Sequence, residues 1–266
     1  MVENTADAAD GRVLRVAFVP GVTPDKWFGV WAERRPDVPI VAVPLEDESE
    51  QTAVLRDGRA DMALVRLPIP REALHVIPLY TEQQVVVAPK GHVVTAADEV
   101  VVADLADEHL LQDPDAVPEW RAIAREIAEG TRIAVPPMTP RGAIELVSTG
   151  AGIVIVPLSV ARQFERKDVI RRPVVDVPET QIGLAWLVER EDDPLIEQFI
   201  GVVRGRSARS TRTSEAATAQ KEAAARRGAE KKAEARKAAE DARERKHARR
   251  TAARRGGSRK HPRGRR

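Results

Sequence analysis

Leu146-Val147-Ser148-Thr149-Gly150-Ala151-Gly152-Ile153-Val154-Ile155-Val156-Pro157 reads as a helix end, a Gly-x-Gly turn, a buried strand and a proline stop. Gly150 can take the left-handed geometry that closes a helix. Gly152 lets the backbone turn tightly into the strand. The β-branched run Ile153 to Val156 suits a strand covered on both faces. Pro157 ends that strand and opens the next helix. A helix, a turn and a buried strand in that order point to an α/β domain.

Upstream, Val13 to Val19 reads as a first buried strand. Thr23 is a good N-cap, Pro24 a favoured first helical residue and Asp25 a first-turn acid. Phe28, Trp31 and Ala32 recur at helical spacing. Ile40 to Val43, held between prolines, reads as an edge strand. Ser49 to Arg56 reads as a short helix. Asp61 to Val65, His75 to Tyr80 and Gln84 to Val87 read as strands. Val100 to Leu105 opens a second region, in which Leu110-Leu111 is a short strand candidate. Pro118 to Ala128 has the spacing of one amphipathic helix, and Ile133 to Val135 reads as a strand. Thr139, Pro140 and Arg141 repeat the cap pattern of the first helix. After the organising stretch come a helix at Ser159 to Glu165, strands at Ile170 to Val175 and Ile182 to Val188, and a closing helix at Pro194 to Val203.

"LVSTGAGIVIVP", "GRADMALVRLP", "PLYTEQQVVVAPKGH" and "VVVADL" occur in an order that resembles the effector-binding domain of LysR-type transcriptional regulators. The resemblance covers about Val13 to Val203. It implies a two-lobed, type 2 periplasmic-binding-protein-like α/β fold with crossing hinge strands. Lobe one would be residues 13–90 and 190–203, and lobe two residues 91–189. It also implies a small-molecule effector and an antiparallel homodimer, for which Ile40 to Val43 offers a strand edge. Members of that family open with a winged helix-turn-helix. This sequence reaches the effector-binding region almost at once, so no recognition helix is carried over. Two further readings of the same fold are a cytoplasmic small-solute-binding protein with no regulatory role, and an enzyme.

Composition divides the chain. Its 266 residues carry a formal +2 and no cysteine. The absence of cysteine excludes disulfides and thiolate chemistry. Beyond Val203 there are 23 Lys and Arg against 7 Asp and Glu, a net of +16, which leaves −14 on the rest. That tail, residues 204–266, has no Val, Leu, Ile, Met or aromatic side chain, so it cannot build a core. It is rich in helix formers and is expected to be helical or disordered. Arg226, Arg227, Arg249, Arg250, Arg254 and Arg255 are candidates for nonspecific contact with nucleic-acid phosphates. The competing reading is a solvated tail that folds transiently onto the acidic body. Residues 1–12 read as a disordered N-terminus with no signal peptide, and no apolar run suits a membrane span. The location expected is cytoplasmic.

In open α/β sheets ligands sit beyond the carboxyl ends of strands, near helix N-termini. The two Thr-Pro helix starts offer hydroxyls, free N–H groups and positive dipole ends, which suit a small carboxylate. The family resemblance adds the end of the third strand and the start of lobe two. The effector-binding candidates are therefore Val22, Thr23, Pro24, Val65, Arg66, Gln112, Met138, Thr139 and Arg141. Thr-Pro is also simply a good helix start. Arg66 reads either as a counter-charge to a carboxylate or as a solvated strand end. His75 and His92 lack metal spacing, and Trp27 and Trp31 read as core. No nucleophile elbow, phosphate-binding loop or zinc motif is present. Neither a catalytic residue nor a metal or cofactor is expected.

Overall fold

The structure, a computed structural model, describes residues 12–205. In order, the elements are β1 (Leu14–Phe18), α1 (Asp25–Arg34), β2 (Ile40–Pro44), α2 (Ala53–Arg56), β3 (Met62–Leu67), β4 (Leu74–Glu82) and β5 (Gln84–Pro89). Three 3-10 turns follow, at Val93–Ala96, Val102–Leu105 and Pro114–Ala116. Then come α3 (Pro118–Arg121), α4 (Arg125–Ala128), α5 (Pro140–Val147), β6 (Val154–Pro157), α6 (Leu158–Gln163) and β7 (Val169–Pro173). β8 (Thr180–Leu187), a 3-10 turn at Val188–Arg190 and α7 (Pro194–Val203) complete the described chain.

The strands form two sheets. The first runs β2-β1-β3-β8-β4 and the second β6-β5-β7. β1 pairs in parallel with β2 and β3, whereas β8 lies antiparallel between β3 and β4. In the second sheet β5 is antiparallel to both neighbours. The chain leaves the first sheet through Gln83 and returns to it at Thr180, so two segments cross between lobes. β5 is thus the centre of lobe two, and β8 belongs to lobe one. The expected boundaries at 90/91 and 189/190 are corrected to about Gln83 and Glu179. Sequence pattern cannot assign a buried strand to one sheet or the other, because both offer it two covered faces.

Lobe one is filled by Trp31, Phe199, Met62, Leu64 and Ile182, each essentially buried. Trp31 meets Phe199 edge-on at 5.8 Å and donates its indole N–H to Val38 O at 2.7 Å. Each such side chain contributes about 1.5–3 kcal/mol by leaving water. Lobe two is smaller and has a core on either side of β5. One side holds Trp120, Leu105 and Leu110, the other Ile144, Val147 and Val160.

Three local expectations need correction. Pro118 to Ala128 is not one helix. Ala124 turns extended (φ −61, ψ 125), and Arg125 N–H bonds Ala106 O at 2.9 Å. Leu110-Leu111 makes a single bridge, Leu110 to Ile153, and goes no further. Beyond it the side-chain amide of Gln112 takes over, donating to Ile155 O at 3.0 Å and accepting from Ile155 N at 2.8 Å. Ile133 to Val135 forms no strand, and Ile133 is 73 % exposed. The edge of β6 that it could join is already met by Leu110 and Gln112, and the prolines that follow cannot donate.

Candidate functional site

The organising stretch behaves as its glycines require. Gly150 sits at φ +86, and Gly152 packs so closely on His109 O that a Cβ has no room. The turn leads into β6, whose end lies beside the first crossover, where Pro157 pairs with Gln84 and Leu158 N–H donates to Gln83 O at 2.9 Å. Thr139 caps α5, its hydroxyl accepting from Gly142 N at 3.3 Å, and Pro140 fills the first helical position. The same logic fails at α1. That helix begins at Asp25 behind Pro24, with no side-chain cap, and Thr23 points to solvent.

A cleft of about 910 Å³ opens between the lobes. Its lobe-one wall is the β2–α2 loop, at Asp47, Glu48 and Ser49. Its floor is Arg66 at the end of β3, Gln84 at the first crossover and Thr180 at the second. Its lobe-two wall is Gln112, Asp113, Arg132 and the Ala134 to Pro140 segment, with Leu111, Ala143 and Val156 behind.

Arg66 is only 4 % exposed and is held inside the protein. It pairs with Glu48, donates to Glu82 Oε2 at 2.9 Å and donates to Pro20 O at 3.1 Å. Its backbone is bracketed by Gln51, which accepts from Arg66 N at 2.8 Å and donates to Arg66 O at 3.2 Å. Gln51 therefore does for β3 what Gln112 does for β6. Tyr80, next to this cluster, is pushed up to about 12, first by burial and then by the Glu82 carboxylate. Its phenol stays neutral across the physiological range. Across the cleft Arg132 pairs with Glu126, donates at 2.9 Å to the carbonyls of Leu110 and Gln112, and stacks 5.5 Å from the Trp120 ring.

Of the sequence candidates, Arg66, Gln112, Met138 and Thr139 come together in this cleft. Val22, Pro24 and Val65 are buried away from its lining, and Val22 and Val65 belong to the lobe-one core. Arg141 lies over the Phe164 ring at 5.2 Å. Arg226, Arg227, Arg249, Arg250, Arg254 and Arg255 lie outside the described residues. Sequence reasoning missed Asp47, Glu48, Gln84, Asp113, Arg132 and Thr180. Pro136-Pro137 before the Thr139 cap was the local signal that an irregular, exposed segment lies there. Among the described residues no group of His, Asp or Glu is placed to hold a metal ion. No described helix is long and apolar enough to cross a membrane.

Comparison with known proteins gives one consistent result. The chain is 25% identical over 228 residues to the HTH-type transcriptional regulator AlsR of Bacillus subtilis, covering 82% of this chain and 74% of that one. It is 33% identical over 150 residues to a probable hydrogen peroxide-inducible genes activator of Mycobacterium avium, covering 53% and 46%. Among solved structures, the BenM effector binding domain with its effector benzoate matches with a TM-score of 0.56 at 24% identity, over 73% of this chain and 91% of that one. Full-length OxyR from Pseudomonas aeruginosa matches at 0.58 and 20% identity, over 79% and 72%. These structures share the two-lobed periplasmic-binding-protein-like fold. The family model described as the LysR substrate binding domain matches residues 8–208. With three quarters of its length inside that match, the chain belongs to the LysR substrate binding domain family of transcriptional regulators.

Proposed function

We propose that this chain senses a small-molecule effector between its two lobes and transmits the event as a change in lobe geometry. The observation that carries the reading is the cleft, which has one wall from each lobe and a floor at both crossovers. Its volume is that of a small-molecule site. A ligand that touches both walls binds one inter-lobe arrangement better than another and shifts the population toward it. The curated relatives are regulators, which disfavours a solute-binding protein without a regulatory role. No catalysis is proposed. The site of action is the cytoplasm, where transcription takes place in bacteria.

The relatives differ in what they are said to answer to. One structure is described with benzoate, and three mycobacterial relatives as probable activators of hydrogen peroxide-inducible genes. A thiol–disulfide response requires cysteine, and this chain has none. A peroxide response through thiols therefore does not transfer. A carboxylate effector was expected from two Thr-Pro helix starts. Only the Thr139-Pro140 start lines the cleft, so half of that basis is lost.

Two extensions belong to the same reading. The chain forms a homodimer through the open edge of β2, where Val41 is 43 % exposed. Light scattering of the full chain then reports twice the protomer mass, and a monomer at micromolar concentration removes this extension. The basic tail adds nonspecific contact with nucleic acid.

The effector reading is tested by a melting-temperature screen of the full chain. A ligand at 100 times its Kd stabilises by about 2.7 kcal/mol. Met138→Trp, which fills the cleft, abolishes the shift of a true effector. A shift that survives Met138→Trp comes from a site elsewhere.

A further inference from the structure

We infer that the molecule accepted by the cleft is a cation, with a protonated amine, amidine or guanidinium on an apolar body and a neutral hydrogen-bonding group at its inner end. The inference rests on the reading of the cleft as the effector site and names the class of effector.

The two guanidinium groups in the lining are already committed. Arg66 is balanced by Glu48 and Glu82, and Arg132 by Glu126 and two carbonyls. The lining contains no lysine. Asp47 on one wall and Asp113 on the other are left over. Each spends Oδ1 on its own turn. Asp47 accepts from Ser49 N at 2.7 Å, and Asp113 accepts from Asp115 N at 2.9 Å. The second oxygen of each has no hydrogen-bond partner among the described residues. In and behind the lining, two guanidinium groups thus face five carboxylates. An incoming carboxylate meets net repulsion there, and a cation meets an acidic group on either wall.

The helix start that suits an anion has little left to offer. Pro140 has no N–H, Gly142 N–H is held by Thr139 Oγ1, and Ala143 N–H bonds Thr139 O at 2.9 Å. Arg141 N–H is the donor of that first turn which remains.

The floor points independently to a ligand. Gln84 is 6 % exposed and lines the cleft, yet its amide makes no hydrogen bond among the described residues. Thr180 and Arg66 also belong to the lining, and behind it Thr180 Oγ1 and Arg66 Nε are buried without partners. Buried polar atoms without partners are costly, so two behind one floor, beside an unbonded Gln84 amide, mark a place where an occupant completes the bonding. The Gln84 amide offers both a donor and an acceptor, so the inner end of the occupant carries a hydrogen-bonding group. A neutral oxygen serves, because the charge of Arg66 is already balanced. Leu111, Pro137, Met138 and Val156 supply the apolar wall between floor and mouth.

The 4-hydroxy forms of benzamidine, benzamide and benzoate, called by the parent names from here on, have nearly one shape, carry positive, zero and negative charge, and each brings a neutral oxygen to the floor. Their binding to the ¹⁵N-labelled full chain is followed through the side-chain amide signals of Gln84 and Gln112. Benzamidine is expected to bind at least about tenfold more tightly than benzoate, the difference one charge-assisted hydrogen bond makes. Raising salt weakens benzamidine and leaves benzamide unchanged. Asp47→Asn and Asp113→Asn keep the Oδ1 acceptor, so each turn stays intact. Each weakens benzamidine several-fold and leaves benzamide unchanged. Benzoate binding as tightly as benzamidine, with the Gln84 signal moving, overturns the charge class and leaves the cleft as the effector site. If none of the three moves the Gln84 or Gln112 signals at millimolar concentration, both readings fall.

Discussion

Two threonines with the same neighbours have different jobs. Thr139 caps α5, so Thr139→Ala is expected to cost about 1 kcal/mol of stability. Thr23 is exposed and caps nothing, so Thr23→Ala is expected to be close to neutral. Urea unfolding of the two variants side by side checks the contrast. The difference was not legible in the sequence, because Thr-Pro followed by a charged residue occurs at both places. What separates them is the backbone before the cap, which at α1 places Pro24 rather than Thr23 at the boundary. Asp61 carries a different kind of prediction. Burial pushes its carboxyl up, but hydrogen bonds from Arg15 and Arg190 outweigh burial and hold it below the usual carboxylate range. Asp193 moves the same way, with burial again opposed by Arg190 and by the Leu195 N–H that it caps. A depressed folded pKa means that stability is present above the unfolded value of about 3.9 and is lost as pH falls toward the folded one. Asp61→Asn is therefore expected to lose about 1–3 kcal/mol at neutral pH. Its deficit relative to the parent chain should shrink in acid. An equal deficit at neutral and acid pH would mean that packing, not the ion pair, is what Asp61 supplies.

β1, α5, β6 and α7 were readable because everything that fixes them is local: apolar runs, Pro at a helix start, Gly at a helix end. Pro194 to Val203 is found as a helix at the expected residues. The cleft was not readable, because Asp47, Arg66, Gln84, Asp113 and Thr180 meet only through the two crossovers. The break at Ala124 was hidden for the same reason, since its cause is a carbonyl at Ala106. One hydrogen bond between elements also escaped the sequence. Gly21, in the β1–α1 turn of lobe one, donates its N–H to Gln163 Oε1 at the end of α6 in lobe two. Gly21 sits at φ +90, and a Cβ there would run into Ser159 and stand 2.9 Å from Val160 N. This is a lobe-to-lobe link away from the crossovers. Gly21→Ala is expected to cost about 1–3 kcal/mol and to open that link. Gln163→Ala removes the hydrogen bond without the steric load. In both variants hydrogen exchange should speed up in α6 and in the β1–α1 turn, while β3 and β8 stay protected. Unchanged exchange in α6 would show that this link does not restrain the lobes.

The charge of the chain is divided between two parts with separate physics. Residues up to Val203 carry −14 and contain the LysR-type domain, whereas the remainder carries +16 with no apolar side chain larger than alanine. Binding through such a segment is electrostatic, since it has no aromatic ring to stack on a base and no apolar stripe to seat in a groove. Counterion release makes that binding fall steeply with salt and makes it indifferent to sequence. The full chain is therefore expected to bind two unrelated DNA duplexes about equally at low salt, read by fluorescence anisotropy. Removing residues 207–266 abolishes the binding and leaves effector affinity unchanged, because every cleft residue precedes the cut. Replacing Arg226, Arg227, Arg249, Arg250, Arg254 and Arg255 with glutamine flattens the salt dependence, by roughly one unit of slope for each phosphate that is no longer neutralised. A preference between the duplexes that persists at physiological salt cannot come from charge alone and would require a base-reading element. No binding at low salt would leave the tail as a solubilising segment.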